Sequence, residues 1–257
     1  LNLQTLDDKK NSFKFLSHSF NGESQILKIQ YKKQIKNIYL NLIGKIQLKN
    51  ILMAIIAAKN SNINLENILK IIPRVKSVNG RLERIGKIKN KSIVILDYAH
   101  TPDALKKSLL NLSEQFPDKK ISLLFGCGGN RDQNKRAKMG KIASNYSDSI
   151  YLTDDNPRLE NPNKIRRDIK KSTNKKKVIE ISNRAKAISR AIKDLGTGQV
   201  LLVAGKGHEK TQEIGRQKIY FSDKRIILKE IKTKNLNLSD NLKLNIIKEL
   251  SGNKTLP

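Results

Sequence analysis

Apolar and polar residues follow two different patterns along the chain, and the change between them divides it near residue 79. In the first part, the stretches FKFLSHSF, SQILKIQY and NIYLNLIG alternate apolar and polar positions, which is typical of half-buried strands. Helical spacing follows from Asn50 to about Lys59 and again in LENILKIIP. We expect these strands and helices to form the end of a domain rather than a complete fold.

From about Gly80 the pattern becomes buried strand, loop and helix in repeated alternation. Continuous apolar runs such as KSIVILDYAH indicate strands that are buried on both faces. Thr101 is predicted to cap the helix that follows, with Pro102 in its first turn, and Gly196 to end a later helix. The remaining elements are predicted at ISLLFG, KRAKMGKIASNY, SIYLT, NKIRRDIKKS, KVIEI, NRAKAISRAIKDLG, QVLLVAG and FSDKRIILKEI. This alternation predicts an α/β fold with a mostly parallel sheet, followed from Thr233 by a frayed polar tail.

Composition places few limits on this picture. The longest apolar run, ILMAIIAA, is much shorter than the roughly 18 residues of a membrane span. The single cysteine, Cys127, excludes an internal disulfide and favours a reducing compartment, so we expect a cytoplasmic protein. The chain begins with Leu1 and without a signal-peptide pattern, and we expect it to be a piece of a longer protein.

The net charge of +29 raises the alternative of a nucleic-acid-binding protein. Lysine supplies most of this charge and is spread along the chain, aromatic residues make up only 5%, and tryptophan is absent. No zinc-finger spacing or RNA-binding aromatic signature is present. A solvated basic surface is therefore the favoured interpretation, and nucleic acid is not expected as the main partner.

Four predicted strand ends have unusual polar residues, in LDYAHTPD, FGCGGNRD, LTDDNPR and VAGKGHE. Ligands of open parallel sheets bind outside the carboxyl ends of the strands, so we expect these segments to form one site. Each segment has a simpler interpretation when taken alone. The glycines of FGCGGNRD can form an ordinary turn, VAGKGHE can expose Lys206, His208 and Glu209 on a tight turn, and Asp97 can cap a helix. No phosphate loop of the form G-x-x-x-x-G-K-S/T and no zinc-ligand spacing occurs.

Five motifs, NGRLERI, LDYAHTPDAL, FGCGGNRD, TDDNPR and VAGKGHE, stand in the order and approximate spacing found in the Mur ligase family, which the chain resembles from about Leu42 to Lys229. Members of that family have an N-terminal UDP-sugar domain, a central ATPase and a Rossmann-like C-terminal domain. The resemblance implies that residues 1–79 are the C-terminal part of the central ATP-binding domain. Residues 80–245 would then form the Rossmann-like domain, and residues 246–257 a polar tail.

The resemblance also implies a nucleotide site. The matching positions are Asn50 for adenine, Arg81 for the ATP phosphates, and Asp97 for the ribose, with Tyr98 and His100 beside it. Relatives often have asparagine where this chain has Gln47. The phosphate loop, the Mg²⁺ ligands and a carbamylated lysine are expected outside this chain, so neither a metal site nor a catalytic residue is assigned within it.

A second implied site is for meso-diaminopimelate. The positions that match its binding residues are Arg131, Asp155, Asn156, Pro157, Arg158, Gly205 and Glu209. Asn130 stands where relatives commonly have aspartate. An arginine can bind the distal carboxylate of this amino acid through paired hydrogen bonds, while acids and an amide suit its distal ammonium. Lysine lacks that carboxylate and would leave the arginine unpaired.

The implied reaction is ATP-dependent amide formation, in which meso-diaminopimelate is joined to UDP-N-acetylmuramoyl-L-alanyl-D-glutamate for peptidoglycan synthesis. The substrates are small molecules, and we expect a monomer without a membrane span. We expect the 257-residue chain to be inactive alone. A lysine-adding enzyme or a folylpolyglutamate synthase is the alternative within the superfamily, and Arg158 argues against both.

Overall fold

The computed structural model describes residues 14–31, 33–174 and 177–252, with side chains described up to residue 237 in the last helix. These residues form two compact units. The first unit runs to Glu83 and includes Lys107–Asp118, and the second comprises Arg84–Lys106 and the chain from Lys119 onward. The division into functional domains at residues 79 and 245 stays a prediction, and residues 1–13 and 253–257 lie outside the described residues.

The first unit contains a three-stranded antiparallel sheet and two helices. Its elements are β1 (Lys14–Asn21), β2 (Ser24–Tyr31), β3 (Gln34–Leu40), α1 (Lys45–Asn60), α2 (Leu65–Ile71) and a 3-10 turn at Ile72–Arg74. Alternation in β2 turns Leu27 and Ile29 into a core that they share with Leu48 and Leu52 of α1. Helix α1 begins at Lys45, one turn before the predicted start.

The second unit is built on a six-stranded sheet whose order is β4-β5-β9-β6-β7-β8. Its strands are β4 (Glu83–Lys87), β5 (Ile93–Asp97), β6 (Ile121–Phe125), β7 (Ser149–Leu152), β8 (Val178–Glu180) and β9 (Val200–Ala204). All neighbours from β5 to β8 are parallel. Every residue of β5, β6 and β9 is buried, as the continuous apolar runs indicated. The predicted α/β class with a mostly parallel sheet is therefore confirmed.

A helix follows each of β5, β6, β7 and β8 directly, as the sequence predicted, and a further helix comes later, after β9. These helices are α3 (Pro102–Gln115), α4 (Asn134–Tyr146), α5 (Pro162–Lys170), α6 (Arg184–Asp194) and α7 (Asp223–Gly252). The Thr101 hydroxyl oxygen accepts the backbone N–H of Ala104 at 3.3 Å, which confirms the predicted cap of α3. Among the described residues, no helix combines the length and the apolar composition needed to cross a membrane.

Helix α6 ends within one residue of the predicted position, with Leu195 as its cap and Gly196 next, but Gly196 does not adopt the left-handed conformation expected of a capping glycine. The ammonium of Lys234 on α7 donates to the carbonyl oxygens of Ile192, Lys193 and Leu195 at 2.7–3.0 Å. These bonds satisfy the final carbonyl groups, so a left-handed glycine is not needed there.

Two further differences concern the last part of the chain. An antiparallel hairpin of β10 (Thr211–Ile214) and β11 (Gln217–Tyr220) was not predicted. Its turn contains Gly215 with a φ of 59°, a conformation that glycine adopts without steric cost. Helix α7 also continues to Gly252, whereas the sequence predicted a frayed tail from Thr233.

Candidate functional site

A cavity of about 720 Å³ lies in the second unit and is lined by the loops after β5, β6, β7 and β9. These four strands are adjacent in the sheet order, so their carboxyl ends lie side by side. Among the predicted site residues, those that line this cavity are Tyr98, His100, Arg131, Asp155, Asn156, Arg158, Gly205 and Glu209. The fold thus brings together residues that are more than 100 positions apart in the chain.

Four predicted residues lie elsewhere. Asp97 is the buried last residue of β5, and its carbonyl oxygen accepts the N–H of Gly205 at 3.1 Å. Pro157 is buried behind the cavity, where its carbonyl oxygen accepts the N–H of Glu160. Asn50 and Arg81 belong to the first unit and are exposed there. The nucleotide site stays a prediction, with its residues divided between the two units.

A buried lysine connects two of the polar groups in the cavity. Lys206 is 0% exposed, and its ammonium donates to Oδ1 of Asn156 at 2.9 Å and to Oε2 of Glu209 at 2.8 Å. The Asn156 amide nitrogen also donates to Oε2 of Glu209 at 3.2 Å. Partial burial of Glu209 opposes its ionisation, but the hydrogen bond and charge of Lys206 outweigh this effect and lower the pKa of Glu209. Glu209 is therefore held as a carboxylate.

Asp155 has a different environment from Glu209. It is 8% exposed, and within the described part of the chain its carboxylate makes no hydrogen bond or ion pair. Burial raises the pKa of Asp155, and the charges of Arg184 and Lys206 only partly offset that effect. The Gly205 backbone passes close to this group, since a Cβ atom on Gly205 would lie 2.7 Å from Oδ2. Asp155 is thus a buried acid that lines the cavity, and none of the described residues forms a hydrogen bond or ion pair with its carboxylate.

Two guanidinium groups, those of Arg131 and Arg158, also line the cavity. Nη1 of Arg158 donates to the carbonyl oxygen of Gly129 at 3.0 Å, and Nε lies 2.7 Å from Oε2 of Glu213. Among the described residues, nothing accepts a hydrogen bond from Nη2 of Arg158, and Arg131 is exposed and has no polar partner. A Cβ on Gly128 would lie 2.9 Å from Nη1 of Arg158 and 3.9 Å from Cγ of Arg131, which shows how near the two arginines are.

The glycines of FGCGGNRD allow two loops to approach each other, which goes beyond the role of an ordinary turn. A Cβ on Gly126 would lie 2.3 Å from the carbonyl oxygen of Thr153, and one on Gly129 would lie 2.0 Å from that of Pro157. Both contacts are with backbone, which cannot rotate away. The N–H of Gly129 donates to the carbonyl oxygen of Asn156 at 2.9 Å. Gly126 and Gly129 therefore allow the loop after β6 to pack closely against the loop after β7, which contains Arg158.

A buried ion pair behind the cavity supports the same two loops. Arg136 of α4 is 0% exposed and binds both carboxylate oxygens of Glu160 at 2.6 and 2.7 Å. Glu160 also accepts the backbone N–H of Asn130 at 3.2 Å, and the side-chain oxygen of Asn130 accepts the N–H of Leu159. The hydrogen bond from Arg136 lowers the pKa of Glu160. These contacts connect α4 and the loop after β6 to the loop that contains Asn156 and Arg158.

Two kinds of reactive group matter for the chemistry of this cavity, a nucleophilic thiol and a cluster of metal ligands. Burial raises the pKa of the Cys127 thiol to about 12, so the nucleophilic thiolate is scarce at neutral pH. Within the ranges that the structure describes, no group of three or more His, Cys, Asp and Glu side chains is arranged to hold a metal ion. Carboxyl, amide and guanidinium groups line the same cavity, a combination suited to binding a zwitterion.

Sequence reasoning missed several contributors to this site. Lys206 was open to interpretation as a surface residue, although it is fully buried. Gln212 and Glu213 contact the cavity loop from β10, which had not been predicted. The pattern TQEIGRQKIY, with a glycine between two stretches that contain isoleucine, was a usable hairpin signal.

The fold and the cavity together define an α/β domain with a candidate ligand site at the carboxyl edge of its sheet, and comparison with known proteins agrees with the fold. Residues 80–207 match the model of the Mur ligase, glutamate ligase domain. The UDP-N-acetylmuramoyl-L-alanyl-D-glutamate--2,6-diaminopimelate ligase of Rickettsia rickettsii is 38% identical over 234 residues, which are 86% of this chain and 48% of that protein. The chain belongs to the Mur ligase family.

Solved structures extend this likeness. A structure of UDP-N-acetylmuramoyl-L-alanyl-D-glutamate--2,6-diaminopimelate ligase aligns with a TM-score of 0.70 at 28% identity, over 89% of this chain and 47% of that one. The Mycobacterium tuberculosis folylpolyglutamate synthase complexed with ADP and AMPPCP aligns with a TM-score of 0.59 at 19% identity, over 76% of this chain and 46% of that one. The latter likeness shows the shared fold alone. The present chain spans about half the length of the curated Rickettsia relatives that it matches.

Proposed function

We propose that this chain is part of an ATP-dependent, ADP-forming amide ligase that joins meso-diaminopimelate to UDP-N-acetylmuramoyl-L-alanyl-D-glutamate. The observation on which this proposal depends is that one cavity brings together two carboxyl groups and the guanidinium of Arg158, whose Nη2 has no hydrogen-bond partner among the described residues. The distal end of meso-diaminopimelate has one carboxylate and one ammonium. A cavity lined by both carboxyl and guanidinium groups can complement both charges of such a ligand.

In this proposal Arg158 binds the distal carboxylate, with Arg131 as a second cation. Asp155 accepts the distal ammonium, since it faces the cavity and has no partner of its own among the described residues. Glu209 is already paired with Lys206, so it contributes the remaining lone pairs of its carboxylate. Asn156 has its Oδ1 occupied by Lys206 and by the N–H of Glu213, and mainly fixes the geometry of Glu209.

The residues proposed to bind the nucleotide are Asn50, Arg81, Asp97, Tyr98 and His100. ATP would supply an activated carboxyl group on the D-glutamyl residue, and the amino group of meso-diaminopimelate would form the new amide bond. The contribution of the cavity residues is to hold that amino acid in a fixed orientation. Mg²⁺ is proposed as the partner of ATP, with ligands outside this chain.

Several properties of the whole protein follow as proposals. The chain has no phosphate loop in its 257 residues, so we expect no ligase turnover from it alone. Dependence on ATP and the single unpaired thiol favour the cytoplasm. Small-molecule substrates and a monomeric state complete the proposal.

Binding of meso-diaminopimelate and of L-lysine to the purified chain, measured by calorimetry, tests the assignment. We expect the wild-type chain to prefer meso-diaminopimelate, and Arg158→Ala to remove a preference on the order of 10²-fold. Arg216→Ala removes the same charge from an exposed position outside the cavity and should have no effect. Equal binding of both ligands by the wild-type chain would favour a lysine-adding or folylpolyglutamate-type ligase. Salt-sensitive DNA binding without amino-acid binding would instead support a nucleic-acid-binding protein.

A further inference from the structure

Strand β10 runs beside the loop that contains Asp155, Asn156 and Arg158. The Gln212 amide nitrogen donates to the carbonyl oxygen of Asp155 at 2.6 Å. The next residue, Glu213, donates its backbone N–H to Oδ1 of Asn156 at 3.1 Å. Successive residues of the strand therefore hold successive residues of the cavity loop.

The strongest of these contacts are with Arg158. Its N–H donates to the carbonyl oxygen of Glu213 at 3.0 Å, and its carbonyl oxygen accepts the N–H of Gly215 at 2.8 Å. Arg158 has a φ of 52°, a left-handed conformation that costs a residue with a side chain about 1–2 kcal/mol. The two backbone hydrogen bonds to the hairpin offset that cost and fix the direction in which the side chain leaves the backbone.

The guanidinium of Arg158 is held as well. Oε2 of Glu213 lies 2.7 Å from Nε, and the carbonyl oxygen of Gly129 accepts from Nη1 at 3.0 Å. These contacts leave Nη2 without a partner among the described residues. Arg158 lines the cavity, whereas Glu213 does not, and the Glu213 carboxylate reaches the cavity through its contact with Arg158.

We propose that Glu213 is a positioning residue that determines specificity, because it fixes the guanidinium of Arg158 with Nη2 directed at the carboxylate of the ligand. This inference rests on the proposed function and assigns that site a new determinant. A free arginine side chain has about 2 kcal/mol of rotamer entropy, part of which is lost when it binds a ligand. Fixing the side chain beforehand removes part of that cost and strengthens binding. Only a ligand with the distal carboxylate gains from this, so replacement of Glu213 should change the ratio of the affinities for meso-diaminopimelate and L-lysine.

The test compares the wild-type chain with Glu213→Ala and Glu213→Gln, using calorimetric titration with meso-diaminopimelate and with L-lysine. We expect Glu213→Ala to weaken binding of meso-diaminopimelate roughly three- to tenfold and to leave L-lysine unchanged. Glu213→Gln keeps the length of the side chain but removes the charge that pairs with Nε, so it should restore only a minor part of the loss. Lys218→Ala, which alters the cross-strand partner of Glu213 in the hairpin, should behave as wild type.

Other outcomes overturn the proposal. An equal loss for both ligands would show that Glu213 only maintains the fold. Tighter binding of meso-diaminopimelate by Glu213→Ala would show that Glu213 competes with the ligand for the guanidinium.

A ligand-free measurement separates this proposal from the proposed function. In ¹⁵N NMR spectra, the Nε–H signal of Arg158, assigned through its loss in Arg158→Ala, should exchange slowly with water in the wild-type chain. We expect rapid exchange in Glu213→Ala and slow exchange in Lys218→Ala. If the wild-type chain fails to prefer meso-diaminopimelate but this contrast is found, the substrate assignment is wrong and the positioning contact stands. If exchange is equally fast in all variants, Glu213 does not position Arg158.

Discussion

Lys206 is completely buried and lies 2.8 Å from Glu209, which remains partly exposed to the cavity. Its three N–H groups have two acceptors in the described structure, Glu209 and Asn156. Replacement by methionine keeps most of the volume but leaves the carboxylate and the amide oxygen without their donor. Removal of one partner from a buried ion pair costs about 3–5 kcal/mol, and the exposure of Glu209 reduces this to roughly 2 kcal/mol.

We therefore expect Lys206→Met to lower the free energy of unfolding by about 2 kcal/mol in denaturant titrations. Lys210→Met, at an exposed position in the same loop, should change it little. Because Lys206 keeps the pKa of Glu209 below its ordinary value, the stability from this pair is present above that ordinary value and is lost as pH falls through the lowered one. The difference in the free energy of unfolding between the wild-type chain and Lys206→Met should therefore become smaller as pH falls through the lowered pKa of Glu209. Equal effects of both substitutions would show that the ion pair does not contribute to stability.

Gly205 combines a left-handed backbone with a close contact, and the two effects can be separated. Its φ is 111°, and a Cβ atom would lie 2.7 Å from Oδ2 of Asp155. Gly198 has a φ of 71° but open space around it. Gly198→Ala should cost only the backbone strain, about 1–2 kcal/mol. Gly205→Ala should cost more and should also displace Asp155, which would be measured as weaker binding of meso-diaminopimelate. Retention of full binding by Gly205→Ala would contradict the placement of Asp155 at the ligand.

The sequence predicted those parts of the fold whose signal is local. The run IVILD is buried on both faces of the sheet, and its apolar residues indicated this directly. The meeting of the four loops could also be anticipated, because the ends of parallel strands lie on one edge.

Other features depend on contacts between distant segments and could not be predicted from local pattern. Arg184 is 1% exposed and pairs with Asp223, which lies 39 positions later in the chain. Charged residues are usually exposed, so composition gave no indication of this burial. The conformation of Gly196 at the end of α6 could not be predicted for the same reason, because the group that satisfies the last carbonyl oxygens is Lys234 of another helix. The role of Glu213 likewise became visible only when β10 was placed beside the cavity loop.

Asp155 is buried, and none of the described residues binds its carboxylate, so we expect it to lower the free energy of unfolding while it serves to bind the ligand. Burial raises its pKa, so the folded chain holds the proton more tightly than the unfolded chain does. Ionisation therefore costs stability once pH rises above the ordinary aspartate value, and the cost is complete above the raised pKa. Asparagine has nearly the same shape and cannot ionise. We expect Asp155→Asn to increase the free energy of unfolding at neutral pH by roughly 1 kcal/mol, the lower end of the cost of an unsatisfied buried group.

This gain should disappear at acidic pH, where Asp155 is protonated in both folded and unfolded chains. Asp118→Asn, at an exposed position, should show neither the gain nor its loss. The same substitution at Asp155 should weaken binding of meso-diaminopimelate, since the ammonium loses its carboxylate. For the wild-type chain we expect the affinity to fall as pH decreases through the raised pKa, and Asp155→Asn should remove this dependence. A decrease in stability at neutral pH would mean that the attraction of Arg184 and Lys206 for ionised Asp155 exceeds the cost of its burial.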